Sequence, residues 1–192
     1  MMSNTLLESV VKKNRARLIP FMLALYVLAF LDRSNIGFAK ETYQLDTGLS
    51  NEAYALGAGI FFVVYAFLGV PANLLMRKFG ARRWIGCTTL LWGVLSAAMA
   101  WADTEAKFLL VRTLLGAAEA GFFPGMIYLT SQWFPQQNRA SIMGLFYMGA
   151  PLALTLGSPL SGALLEMHGF MGHPGWFWMF VIEGLLAVAA RS

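Results

Sequence analysis

Several long stretches of this sequence contain no ionisable residue: Leu18 to Leu31, Ala53 to Met76, Trp84 to Ala102 and Ser141 to Leu165, with a shorter one from Thr113 to Ala118. About 20 consecutive apolar residues suffice for a helix to cross roughly 30 Å of hydrocarbon. A backbone in lipid has no water to satisfy its N–H and C=O groups, so such runs must be helices, and the alternating pattern of a barrel strand is absent. Composition agrees: 58% of the residues are apolar and only 12% charged, against about 25% charged in a soluble domain. The expected fold class is an all-α integral membrane protein, with no soluble domain.

Six spans are expected, at about 18–39, 53–76, 84–101, 108–130, 141–165 and 177–192, preceded by a basic tail over residues 1–17. The chain ends inside the sixth, which reads as a helix cut short. Brief connections such as "RKFGARR" and "ADTEAK" imply that consecutive helices are antiparallel neighbours in one bundle. The tail carries Lys12, Lys13, Arg15 and Arg17; the loop between spans two and three carries Arg77, Lys78, Arg82 and Arg83; the loop between four and five carries Arg139. The alternate loops hold Lys40 and Lys107 beside Glu41, Asp46, Glu52, Asp103, Glu105 and Glu166. The positive-inside rule therefore puts the N-terminus in the cytoplasm. The net charge of +4 is a topology signal, and no nucleic-acid partner is expected. A signal peptide is excluded because further spans follow the first with no small-residue cleavage site. Cys87 lies inside a span, and His168 and His173 lack a carboxylate or thiol cluster at metal spacing, so no metal and no cofactor is expected.

The charges left inside the spans are few: Asp32 and Arg33 on the first, Arg112 and Glu119 on the fourth, and Glu183 on the sixth. Buried ionisable groups are costly unless paired or facing water, and they mark pathways and proton relays. At about 1.5 Å per residue, Asp32 sits roughly 10 Å below the outer surface, Arg112 roughly 6 Å and Glu119 roughly 16 Å, with Tyr65 at a similar level. Arg112 and Glu119, two turns apart, share a helix face. Asp32 and Arg33 point about 100° apart, so they cannot readily neutralise one another, and at least one needs a partner on another helix. Arg112 has a second reading, snorkelling to the outer interface along its own stem.

Bending and sliding are also written in. Pro124, Pro151 and Pro159 interrupt the hydrogen-bond ladders of spans four and five, while Gly149, Gly157, Ser158, Ser161 and Gly162 allow close backbone approach. Tight packing alone accounts for the glycines nearly as well.

The loop "NLLMRKFGARR" resembles the signature loop of the major facilitator superfamily, with Lys78, Gly80, Arg82 and Arg83 in or beside its basic and glycine places. Asn73 stands where that motif has its first glycine and Arg77 where it has an aspartate. "FLDRSNIGFA", "RTLLGAAEAGFFPG" and "WFPQQNRA" resemble the anion:cation symporter branch, whose members import organic acids with protons or sodium. The likeness runs from about Arg17 to Ala189 and is nearest to permeases for sugar acids such as L-rhamnonate in the enterobacterial inner membrane. It implies the N-terminal half of a twelve-helix fold whose site lies between two six-helix halves. It also implies Asp32 and Glu119 as the proton-coupling acids, Arg33 and Tyr65 as substrate contacts, H+ as coupling ion, and an absent C-terminal half as partner. Two other classes stand beside the transporter. One is a non-transporting membrane fragment with a residual or partner-binding role; the other, a membrane-embedded enzyme, lacks any nucleophile arrangement or metal cluster.

Overall fold

The computed structural model describes residues 2–190, so Met1 and the last two positions of the expected sixth span lie outside the described residues. Those residues are helical with short connections and contain no strand. α1 runs Met2–Thr47, α2 Asn51–Phe79, α3 Ala81–Ala98 with a 3-10 turn to Trp101, α4 Glu105–Glu119, α5 Phe122–Trp133, α6 Gln136–Tyr147, α7 Gly149–Leu165 and α8 Gly175–Ala189.

Two of the expected spans are each broken in two. Proline at position i clashes with the carbonyl of residue i−4. Pro124 thus disturbs Ala120, where α4 gives way to α5, and Pro151 disturbs Tyr147, where α6 gives way to α7. Pro159 bends nothing comparable and lies within α7. With the halves joined, five helices are long and apolar enough to cross a membrane, from Val11–Thr47 to Gln136–Leu165, and α8 is a shorter apolar sixth.

The first helix is much longer than residues 18–39. The described part of the basic tail continues it at one end, and "KETYQLD" continues it at the other, so the connection to α2 is only 48–50. Tertiary contacts hold that outer extension: the Tyr43 hydroxyl donates to the Ala102 carbonyl, and Asp46 accepts from the indole of Trp176 at 2.7 Å. The turn between α2 and α3 is the single residue Gly80 at φ +85°, a backbone angle glycine adopts without cost, and its N–H closes α2 on the Met76 carbonyl.

Consecutive helices are not the principal neighbours. The most extensive packing is between α3 and α8, α2 and α4, and α1 and α7, whereas α1 and α2 meet through long side chains such as Arg33 on Tyr65 and Tyr43 on Tyr54. Glycines permit this. A Cβ on Gly116 would fall 2.5 Å from the Phe61 carbonyl, and one on Gly184 2.6 Å from the Gly93 carbonyl. Along α7, Gly149 and Gly157 do press on Tyr26 and Leu31, but Gly162 faces open space and Ser158 is exposed. The expectation that these last two permit close approach is therefore not met, because the packed stripe of α7 repeats at four-residue spacing through 149, 153, 157 and 161.

Two apolar cores result. One gathers Met22, Leu25, Trp92, Phe122 and Phe146; the other gathers Tyr43, Tyr54, Phe108, Trp176 and Phe180. On α1 the first ends at Ala29 and the second begins at Ala39, and Asp32, Arg33 and Asn35 lie between.

Candidate functional site: a buried charge cluster between two cores

The polar residues between the cores form one belt across the bundle. Arg33 Nε donates to Glu119 Oε2 at 2.8 Å, an ion pair between α1 and the end of α4 in which Glu119 is fully buried. Asp32 turns elsewhere: its Oδ1 accepts from the Ser96 hydroxyl on α3. The divergence of adjacent side chains thus sends the two charges to different helices, as helical geometry requires.

Two carboxylate oxygens in this belt, Asp32 Oδ2 and Glu119 Oε1, are buried without a hydrogen-bond partner. An unsatisfied buried acceptor costs about 1–3 kcal/mol, more if charged. Protonation removes the charge from such a carboxyl and so lowers that cost.

Arg33 is only partly covered, its side chain 18% exposed. Its guanidinium stacks on the Tyr65 ring at 4.6 Å and lies 5.7 Å from the centre of the Phe61 ring. Glu119 engages Nε, and the terminal nitrogens form no ion pair among the described residues. Tyr65 therefore supports the guanidinium with the face of its ring.

Arg112 does not snorkel. It is buried, its Nε donates to the Gly57 carbonyl at 3.2 Å, and its guanidinium covers the Phe61 ring at 4.5 Å. Phe61 thus lies between two arginines. Glu183 is also buried, bonded to Asn35 at 2.6 Å and to Ser161 at 3.3 Å. Ser96 and Asn35 do not stand out in the sequence, and Ser161 does so only as a small residue that permits close helix approach. The signal that finds them is a small polar residue within an apolar run that shares a helix face with an acid or meets one across an interface.

Lys78, Gly80, Arg82 and Arg83 lie far from this belt, exposed around the α2–α3 turn. A cavity of about 870 Å³ opens beside them, lined by Phe21, Arg82, Arg83, Thr89 and Trp133 among others, and holds none of the belt residues. His168 and His173 are exposed, Cys87 is exposed on α3, and no group of metal-ligating side chains forms among the described residues.

Known proteins share both sequence and architecture with the chain. The Major Facilitator Superfamily model matches residues 22–190. The inner membrane transport protein RhmT of Escherichia coli is 92% identical over 98% of this chain and 44% of its own length. A putative tartrate transporter of Agrobacterium vitis is 50% identical over 97% of this chain and 43% of its own. The chain therefore spans less than half the length of these curated relatives. In fold it resembles the crystal structure of a bacterial homologue of the human lysosomal transporter Spinster, inward-facing and occupied, with a TM-score of 0.84 at 22% identity over 92% of this chain and 43% of that one. With a family model covering most of its residues, the chain belongs to the Major Facilitator Superfamily.

Proposed function

We propose that the chain forms the N-terminal half of a secondary transporter of the bacterial inner membrane, one that imports an organic anion, a sugar acid such as L-rhamnonate, together with protons. The observation that carries this reading is the Arg33 guanidinium: partly open, stacked on Tyr65, held through Nε by Glu119 and with its terminal nitrogens in no ion pair among the described residues. A guanidinium binds a carboxylate through two parallel hydrogen bonds. An anion arriving at Arg33 competes with Glu119 for the same positive charge. Protonation of Glu119 weakens the ion pair and frees Arg33, so proton and anion favour one another's binding. Asp32, a second buried acid of the belt with one oxygen lacking a partner, is the other group that takes up a proton. No cofactor takes part, and the coupling ion is H+.

The test joins residues 1–192 to the remaining part of the E. coli relative, chosen for its 92% identity. In proteoliposomes, Glu119→Gln should still exchange labelled anion for unlabelled anion yet lose accumulation driven by a pH gradient, because an amide imitates one protonation state permanently. Parental uphill uptake by the variant would remove Glu119 from the coupling. The unjoined chain should accumulate no anion, since half of the site's wall is missing.

A further inference from the structure

Glu183 takes no part in the Arg33 pair, yet it is buried on α8 between α1, α3 and α7. Among the described residues, the helices packed around it offer no compensating cation. α3 is charged only at Arg82 and Arg83 in its first turn, α7 carries no charge, and α8 has none besides Glu183 itself. From α1 the charge that acts on it is that of Asp32, which is of like sign. Among the described residues, neither salt bridge includes Glu183.

Its polar contacts form a triangle. Asn35 Nδ2 reaches Glu183 Oε2 at 2.6 Å, Ser161 Oγ lies 3.3 Å from Glu183 Oε1, and the same Oγ lies 3.5 Å from Asn35 Oδ1. The count of hydrogens decides what this triangle is. An ionised carboxylate donates nothing, and Ser161 has one hydroxyl hydrogen for two acceptors. Either Glu183 Oε1 or Asn35 Oδ1 then lacks a donor from within the triangle, and a net charge is left in an apolar interior. With a proton on Oε1 the ring closes. Glu183 donates to Ser161, Ser161 donates to Asn35, and Asn35 donates to Glu183, so each contact has one donor and one acceptor and the group is neutral.

We propose that Glu183, Ser161 and Asn35 form a second proton-binding site, separate from the Arg33–Glu119 pair, in which the retained proton closes a neutral ring joining the first, fifth and sixth spans. Its ligand is a proton, and its loss places an uncompensated negative charge beside Asp32 and opens the contact of α1 with α7 and α8. The proposal is independent of what the chain transports, since it concerns this half alone.

Infrared spectroscopy of the full chain, purified in detergent at neutral pH, tests it. One component of the protonated-acid carbonyl stretch should disappear in Glu183→Gln and shift in Ser161→Ala, where the acid hydroxyl loses its acceptor, while any component from Glu119 or Asp32 stays in both. Glutamine reproduces the ring, its amide donating to Ser161 and its carbonyl accepting from Asn35, so Glu183→Gln should melt near the parent at acid pH, where folded and unfolded Glu183 are both protonated, and above it at neutral pH. As the pH is raised from acid, the parent should lose melting temperature relative to Glu183→Gln, because unfolding releases the proton that the folded ring retains, and the difference should level off once the folded state sheds it too. Loss of a carboxylate band in place of the acid band, or no difference in pH response, would overturn the proposal. If Glu183→Gln does not fold, the Ser161→Ala spectrum decides alone: a shifted acid band upholds the ring, and an unchanged one removes it.

Discussion

At the scale of single residues, Arg33 separates a ligand clamp from a structural ion pair. Arg33→Lys keeps the charge and loses the fork. In the joined transporter described above, the affinity for the anion should fall by the worth of one charge-assisted hydrogen bond, about 1.5–3 kcal/mol or roughly 10- to 150-fold. Equilibrium binding measures this, and near-parental affinity would leave Arg33 only as the partner of Glu119. Outside the membrane the same physics acts weakly. Lys107 donates to Asp103 at 2.5 Å one helical turn away, and that hydrogen bond, with the ammonium charge, holds the Asp103 carboxyl below the ordinary range against slight desolvation. An NMR titration should show Asp103 titrating low and returning toward the ordinary range in Lys107→Met. Both groups are largely exposed, so melting temperature should not change. The charges in question were legible in the sequence because ionisable residues inside apolar runs stand out. Their partners were not: nothing local says that Ser96 meets Asp32, since residues 64 positions apart come together only when the whole bundle assembles.

At the scale of elements, glycines decide how near two helices come, and the structure sorts them. Gly116→Ala forces a methyl against the Phe61 backbone, where a flexible side chain cannot yield, and should cost about 1–3 kcal/mol. Gly162→Ala meets nothing within 4 Å and should be neutral or slightly stabilising, since alanine is the better helix former. Thermal unfolding in detergent compares the two directly, and equal melting temperatures would show that the α2–α4 contact is loose. Spacing alone could not distinguish these positions, because every glycine in an apolar run has the same local signature. The breaks at 120–121 and 148 were legible in kind from Pro124 and Pro151. The extension of α1 to Thr47 was not, because "KETYQLDTG" has the composition of a loop and is held helical by Ala102 and Trp176 far along the chain.

At the scale of the whole molecule, the distribution of basic residues gives a testable orientation. Single cysteines placed at Arg82 and Arg139 in a Cys87→Ser background should react with an impermeant thiol reagent only from the cytoplasmic side, and one at Asp103 only from the periplasmic side. Periplasmic labelling at position 82 would reverse the assignment. Apolar side chains remain exposed along α2, among them Phe67, Val70 and Leu74, and along α7, among them Leu154 and Leu156, which suits surfaces turned to lipid or to a second bundle. The sequence by itself determined that the chain is helical, roughly where it crosses a bilayer, and which charges lie within. Those properties follow from one-dimensional quantities: the length of apolar runs, the cost of unpaired backbone in lipid and the count of basic residues in each loop. Only the tertiary structure decided that α3 packs on α8 and α1 on α7, that Arg33 pairs with Glu119, and that Glu183 meets Asn35 and Ser161. The reason is that pairing among helices depends on which faces meet at close approach. That is settled by glycine contacts and polar satisfaction summed over the bundle, and by no single segment of it.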